Sequence, residues 1–190
     1  MKVKICGNTS LEEALFTASL GADMIGIVGV RSSPRYVHID EAFRISNYVR
    51  NAVYVTDSED LNFIEQIARR FMYVQVHRIM SSHELRRLKG KNVIAYVPAT
   101  YEGINYIERV LENGLIPLIH STKGRITTDD LSHFKKFISR SGVAGGIDVN
   151  NAHELIGLNP LFFDVSRGSE EDIGRKSGWR IRYLLGVLKL

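Results

Sequence analysis

The sequence predicts a (β/α)8 barrel, on three grounds. Short apolar runs, mostly rich in Val, Ile or aromatic residues, alternate from end to end with amphipathic stretches of helical period. Strands alternating with helices imply right-handed crossovers and a parallel sheet. The 190 residues hold eight such units. That is about 24 residues per unit, just under the usual lower size of about 200 residues for a closed eight-stranded barrel, so the loops must be short. A doubly wound open sheet is the competing architecture, which periodicity alone does not exclude. Residues 1–190 read as a single domain, with no linker, recognisable repeat or low-complexity stretch.

The strands are expected at Val3–Cys6, Met24–Val28, Ala52–Val55, Tyr73–His77, Val93–Val97, Ile116–His120, Val143–Ala144 and Phe162–Val165. The first helix, Leu11–Leu20, follows Ser10 with Glu13 three residues on, a capping-box pattern. The second, Asp40–Val49, carries Ala42, Phe43, Ile45 and Val49 on roughly one face. Asp60–Arg70, Ser82–Lys89, Tyr101–Glu112, Asp129–Ser139, Asn150–Ile156 and Gly178–Lys189 complete the series.

Composition narrows the function. No apolar run approaches the ~20 residues of a membrane span, and the start, Met1-Lys2-Val3-Lys4, has no signal-peptide core. The single cysteine rules out an intramolecular disulfide and any multi-Cys zinc site, and a free thiol fits the reducing cytoplasm. The six histidines show no metal-ligand spacing, so no metal is expected. The dispersed tyrosines and single tryptophan form no nucleic-acid stacking signature. A net charge of +4 suits a small anionic ligand. The apolar face of Gly178–Leu190 serves core packing or a dimer equally well, so the chain is expected to be a monomer or homodimer.

In a barrel of this kind the chemistry sits at the carboxyl ends of the strands. Cys6, Arg35, His77, His120 and Ser166 all fall at or just beyond predicted strand ends and would converge on one mouth. Cys6 can act as a proton-transfer base if its pKa is lowered, although a lone cysteine is more often a small buried hydrophobe. Arg35, behind Pro34, can present a planar fork to a carboxylate or phosphate. Gly145 and Gly146, between a strand and a helix, let backbone N–H groups approach an anion. Ser166 and Gly168 follow the last strand, and anion donors after the seventh and eighth strands match the usual phosphate site of this fold.

Taken in order, KICGNT (Lys4–Thr9), GADMIGIV (Gly21–Val28), SPRYV (Ser33–Val37), VQVH (Val74–His77), AGGI (Ala144–Ile147) and DVSRGSE (Asp164–Glu170), followed by Gly174 and Lys176, resemble the phosphoribosylanthranilate isomerase family of tryptophan biosynthesis. The resemblance spans the whole chain. It implies a (β/α)8 barrel that needs no cofactor or metal. The implied reaction is the Amadori rearrangement of N-(5-phosphoribosyl)anthranilate to 1-(carboxyphenylamino)-1-deoxyribulose 5-phosphate. It implies that Cys6 is the base, that Arg35 and His77 bind substrate, and that Gly145, Gly146, Ser166 and Gly168 hold its phosphate.

The chain departs from the family pattern at the general acid. Where the family ends its sixth strand in aspartate, this sequence reads Pro117-Leu118-Ile119-His120-Ser121-Thr122-Lys123. A protonated His120 is the expected acid, its ordinary pKa near 6.5 being suitable. Ser121 at the same strand end, or Asp129 and Asp130 in what looks like a helix start, are the other candidates. Arg78 replaces a usual glycine, and Ala95-Tyr96 stands where a lysine is common. These changes lie on one half of the mouth. The alternative is therefore a barrel that kept phosphate binding but lost the isomerisation.

Overall fold

The computed structural model describes residues 1–190. Eight parallel strands follow in chain order: β1 (Lys2–Cys6), β2 (Met24–Val28), β3 (Ala52–Thr56), β4 (Tyr73–Val76), β5 (Val93–Pro98), β6 (Ile116–His120), β7 (Gly142–Ala144) and β8 (Phe162–Val165). β8 pairs back onto β1, with Lys4 opposite Asp164, so the sheet closes and the open-sheet alternative falls. No helix is long and apolar enough to cross a membrane.

Outward-facing strand residues such as Ile5, Ile25, Val74, Val97, Ile119 and Phe163 pack against the helical ring in one core. Inside the barrel, Met24, Val53, Ile94, Leu118, Ala144 and Phe162 form a separate apolar plug. The period of two then carries each strand from plug to mouth. Phe162, Asp164 and Ser166 share the inward face of β8, as do Tyr73, Gln75 and His77 along β4 and Lys4 and Cys6 along β1.

The helices are α1 (Leu11–Ser19), α2 (Ile39–Tyr48), α3 (Leu61–Ala68), α4 (Ser82–Arg87), α5 (Tyr101–Glu112), α6 (Thr128–Ser132) and α7 (Gly178–Leu188). Ser10 caps α1 by accepting from the Glu13 N–H at 3.2 Å. The Glu13 carboxylate does not close the expected box on Ser10; it accepts from the Thr9 and Lys176 N–H groups. The box is complete instead at Ser81/Glu84 and at Thr127/Asp130.

Two expected helices are corrected. Asp129–Ser139 is helical only through Ser132, with a 3-10 turn at Ile138–Arg140. Asn150–Ile156 is reduced to a 3-10 turn at Ala152–Leu155. In both, polar side chains compete for the backbone. Ser132 Oγ donates to the Asp129 carbonyl, and Asn151 donates to the Gly146 carbonyl while accepting from the Asp148 N–H. A hairpin not expected from the sequence, β9 (Glu170–Asp172) and β10 (Arg175–Lys176), is tied to the end of β1.

Candidate active site

A cavity of ≈ 370 Å³ opens at the carboxyl ends of the strands. Cys6, Arg35, His77, His120, Gly145, Gly146, Ser166 and Gly168, all singled out from the sequence, line it together. Asp129 is exposed at the first turn of α6 and Asp130 closes the capping box with Thr127, so neither lines the cavity. Ser121 is buried, with its hydroxyl donated to the Arg125 carbonyl at 2.8 Å. His120 is thus the strand-end candidate that faces the cavity.

Cys6 ends β1 and is 7% exposed. Across from it, a Cβ on Gly26 would lie 2.7 Å from Cys6 Sγ, so only glycine leaves room for the thiol. Burial pushes the Cys6 thiol above its ordinary value; the Lys4 ammonium pulls it down, Asp164 adds to the rise, and Lys176 pulls down again. Lys176 belongs to the hairpin, and its Nζ donates to the Cys6 carbonyl at 2.6 Å and to Glu170 at 2.9 Å.

Arg35 does not offer the open fork expected of it. Its Nε and Nη2 donate to the two Glu170 oxygens at 2.7 and 2.6 Å, so the pair is bidentate. Arg35 still lines the cavity, with Nη1 left outside that pair.

His77 and His120 stand edge to face, ring centroids 5.1 Å apart, with Tyr96 4.8 Å from His77 and 5.7 Å from His120. Burial, and then the His120 charge, push His77 down to about 4. Burial also lowers His120, against the Asp164 carboxylate, which pulls it upward. The expectation of an imidazole with an ordinary pKa is therefore corrected: burial holds His120 toward its neutral form.

On the opposite side, Gly145 (φ 116°) and Gly146 (φ 57°) take left-handed conformations. A Cβ on Gly146 would meet the Gly124 carbonyl oxygen, so this turn interlocks with the loop after β6. The N–H groups of both glycines donate to no loop or turn carbonyl. Because only a 3-10 turn follows, these amides, rather than a helix dipole, make this edge suited to an anion. Arg167 lines the same edge between Ser166 and Gly168.

A polar layer not expected from the sequence lies beneath the mouth. Lys4 is fully buried; its Nζ donates to Gln75 Oε1 at 2.7 Å and to Asp164 Oδ2 at 2.8 Å. Gln75 Nε2 lies 3.4 Å from His77 Nδ1. Gln75 and Asp164 both line the cavity. The signal was available: Lys4, Gln75 and Asp164 stand two residues before Cys6, His77 and Ser166.

The model of a family described as N-(5'phosphoribosyl)anthranilate (PRA) isomerase matches residues 3–186. An N-(5'-phosphoribosyl)anthranilate isomerase of Sulfolobus acidocaldarius is 34% identical over 197 residues, covering 100% of this chain and 97% of the relative. Monomers generated from the dimeric phosphoribosylanthranilate isomerase of Thermotoga maritima superpose with a TM-score of 0.85 at 26% identity, over 100% of this chain and 98% of theirs. A phosphoribosylanthranilate isomerase crystallised with reduced 1-(o-carboxyphenylamino)-1-deoxyribulose 5-phosphate gives 0.82 at 27%, with the same two coverages.

Proposed function

The chain belongs to the N-(5'-phosphoribosyl)anthranilate isomerase family, and from that premise we propose how its own residues carry the reaction. The enzyme is an aldose–ketose isomerase of tryptophan biosynthesis. It converts N-(5-phosphoribosyl)anthranilate to 1-(carboxyphenylamino)-1-deoxyribulose 5-phosphate.

The substrate is an anion at both ends, and the cavity offers a cationic or amide-rich edge to each. The phosphate sits at the turns after β7 and β8, on the amides of Gly145, Gly146 and Gly168, with Ser166 and Arg167 beside it. The anthranilate carboxylate points toward the free edge of Arg35, and His77 packs beside the sugar. Cys6 then lies between the two ends. His120 protonates the ribose ring oxygen, and the ring opens to a protonated Schiff base. The Cys6 thiolate removes the hydrogen from sugar C2, leaving an enolamine that becomes the ketone.

Bound substrate favours the protonated His120 this requires, and buried lysines favour the thiolate. Its phosphate and carboxylate raise the proton affinity of His120 against the burial that lowers it. Lys4 and Lys176 offset part of the cost of forming the thiolate in a buried setting. Every residue in this scheme comes from one chain, so a monomer contains the whole site. The working free thiol favours a cytoplasmic location.

One observation carries the reading: the Cys6 thiol and the glycine turns border the same cavity. The test follows loss of phosphoribosylanthranilate fluorescence. Cys6→Ser is expected to lower kcat by at least about a hundredfold, with binding of the reduced product analogue nearly unchanged. Full turnover in Cys6→Ser would remove the thiol from the mechanism. His120→Ala is expected to lower kcat as well, whereas Asp129→Ala, away from the cavity, is expected to leave it unchanged.

A further inference from the structure

Asp164 holds a buried oxygen that nothing in the protein satisfies. Its Oδ2 accepts from Lys4 Nζ at 2.8 Å, but Oδ1 has no hydrogen-bond partner, in a side chain only 7% exposed. Buried polar atoms are seldom left unpaired, since each lost bond costs about 1–3 kcal/mol. Three such side-chain atoms occur here, Thr100 Oγ1, Asp164 Oδ1 and Arg180 Nε, and of the three residues only Asp164 lines the catalytic cavity. Its place is set by register. Asp164 on β8 faces Lys4 on β1, and Cys6 is the next inward residue above Lys4. The carboxylate therefore forms part of the floor beside the thiol.

The reaction contains a step with no residue assigned to it. Once Cys6 has taken the hydrogen from sugar C2, the enolamine must lose the proton of its C2 hydroxyl and gain one on C1. That hydroxyl and the abstracted hydrogen are on the same carbon. A sugar positioned for Cys6 thus carries its C2 hydroxyl to the groups flanking the thiol. A carboxylate oxygen with a free lone pair is the acceptor such a hydroxyl needs.

We propose that Asp164 is a further catalytic residue, the base that takes the C2 hydroxyl proton, so that the enolamine is converted to the ketone on the enzyme. The proposal rests on the Cys6 and His120 assignments above. The O–H bond breaks and its proton bonds to Asp164 Oδ1, while its electron pair forms the C2 carbonyl. The C1–C2 double-bond pair takes the proton from the Cys6 thiol, forming the new C1–H bond and restoring the thiolate. The proton on Asp164 passes to the His120 imidazole, which lost its own at ring opening, and all three groups return to their starting states.

The experiment runs the wild-type reaction in D2O, quenches it within seconds and reads the two inequivalent C1 hydrogens of the product by NMR. Ketonisation on the enzyme puts deuterium in at most one of the two positions; equal labelling of both means the enolamine collapses in free solution and overturns the proposal. Asp164→Asn keeps an oxygen for Lys4 but removes the base. It is expected to slow ketone formation about a hundredfold and to scramble the label. Asp164→Ser is a second variant without the carboxylate, expected to do the same. One-position labelling at wild-type kcat in either variant also overturns the proposal. A wild-type protein that consumes no phosphoribosylanthranilate would instead defeat the functional reading itself, so the two failures are distinguishable.

Discussion

At the scale of single residues, Cys6 and His120 are both held in the form opposite to the one their proposed roles require. Burial keeps the thiol protonated above its usual value of 9.0 and keeps the imidazole neutral below its usual 6.5. The reactive pair, thiolate with imidazolium, carries the same total number of protons as the resting pair, thiol with neutral imidazole. Its share is therefore constant between the two pKa values and falls outside them. The expected kcat/KM profile is a broad bell that rises through the His120 pKa, below 6.5, and falls through the Cys6 pKa, above 9.0. His120→Ala should abolish the bell: the residual rate then follows the thiolate alone and rises with pH toward the Cys6 pKa without falling above it, which steady-state kinetics from pH 5 to 10 would show; a retained bell would exclude His120 as the acid. The mouth residues were legible in the sequence because each stands at a strand end, where function concentrates. Lys4, Gln75 and Asp164 were legible only through their spacing, two residues before the mouth residues; taken alone, a lysine or aspartate inside a strand reads as a solvent-facing residue until closure makes that face an interior.

Among elements, the strands were legible nearly to the residue, since runs such as Met24–Val28 and Ile116–His120 are apolar and sharply bounded. The short sixth helix, the 3-10 turn at Ala152–Leu155 and the hairpin were not. Their form depends on side chains that bond backbone, nearby for Ser132 and Asn151 and across the fold for Glu13, which no hydrophobic period encodes. The loop after β4 shows the same dependence. Arg78 donates through Nε and Nη2 to the Ser58 carbonyl and through Nη2 to Glu84 at 2.6 Å. It thereby fastens the loop after β3 to the start of α4. The Arg78 hydrogen bond pulls the Glu84 carboxyl down to about 2 from 4.5. A depressed carboxylate contributes stability above its unfolded pKa and loses it as pH falls through the folded one. Glu84→Gln is therefore expected to cost about 1.5–3 kcal/mol at pH 7. That cost should shrink between pH 4.5 and 2, measured by denaturant unfolding of both proteins across that range.

For the molecule as a whole, what the sequence left open was closure. Eight units of alternating strand and helix fit a barrel or a long open sheet, and the register of β8 against β1 decided it. Closure makes the barrel lumen the setting for the polar layer, with the apolar plug beneath it and the cavity above. It also gives the fold a pH dependence that originates in the site. His77 is neutral in the folded protein down to about 4, whereas in the unfolded chain it protonates near 6.5. Between these values the unfolded state binds a proton that the folded state refuses, so stability falls as the pH drops through that window. The loss amounts to about 3 kcal/mol once both limits are passed. Its origin is burial against His120 and Lys4, not any partner that His77 gains on folding. His77→Gln removes the titrating group while keeping a polar side chain beside Gln75. Denaturant unfolding of wild type and His77→Gln at intervals from pH 7 to pH 4 should show the wild-type free energy falling more steeply, the two curves converging toward acid; parallel curves would mean that His77 does not carry the acid sensitivity of the barrel.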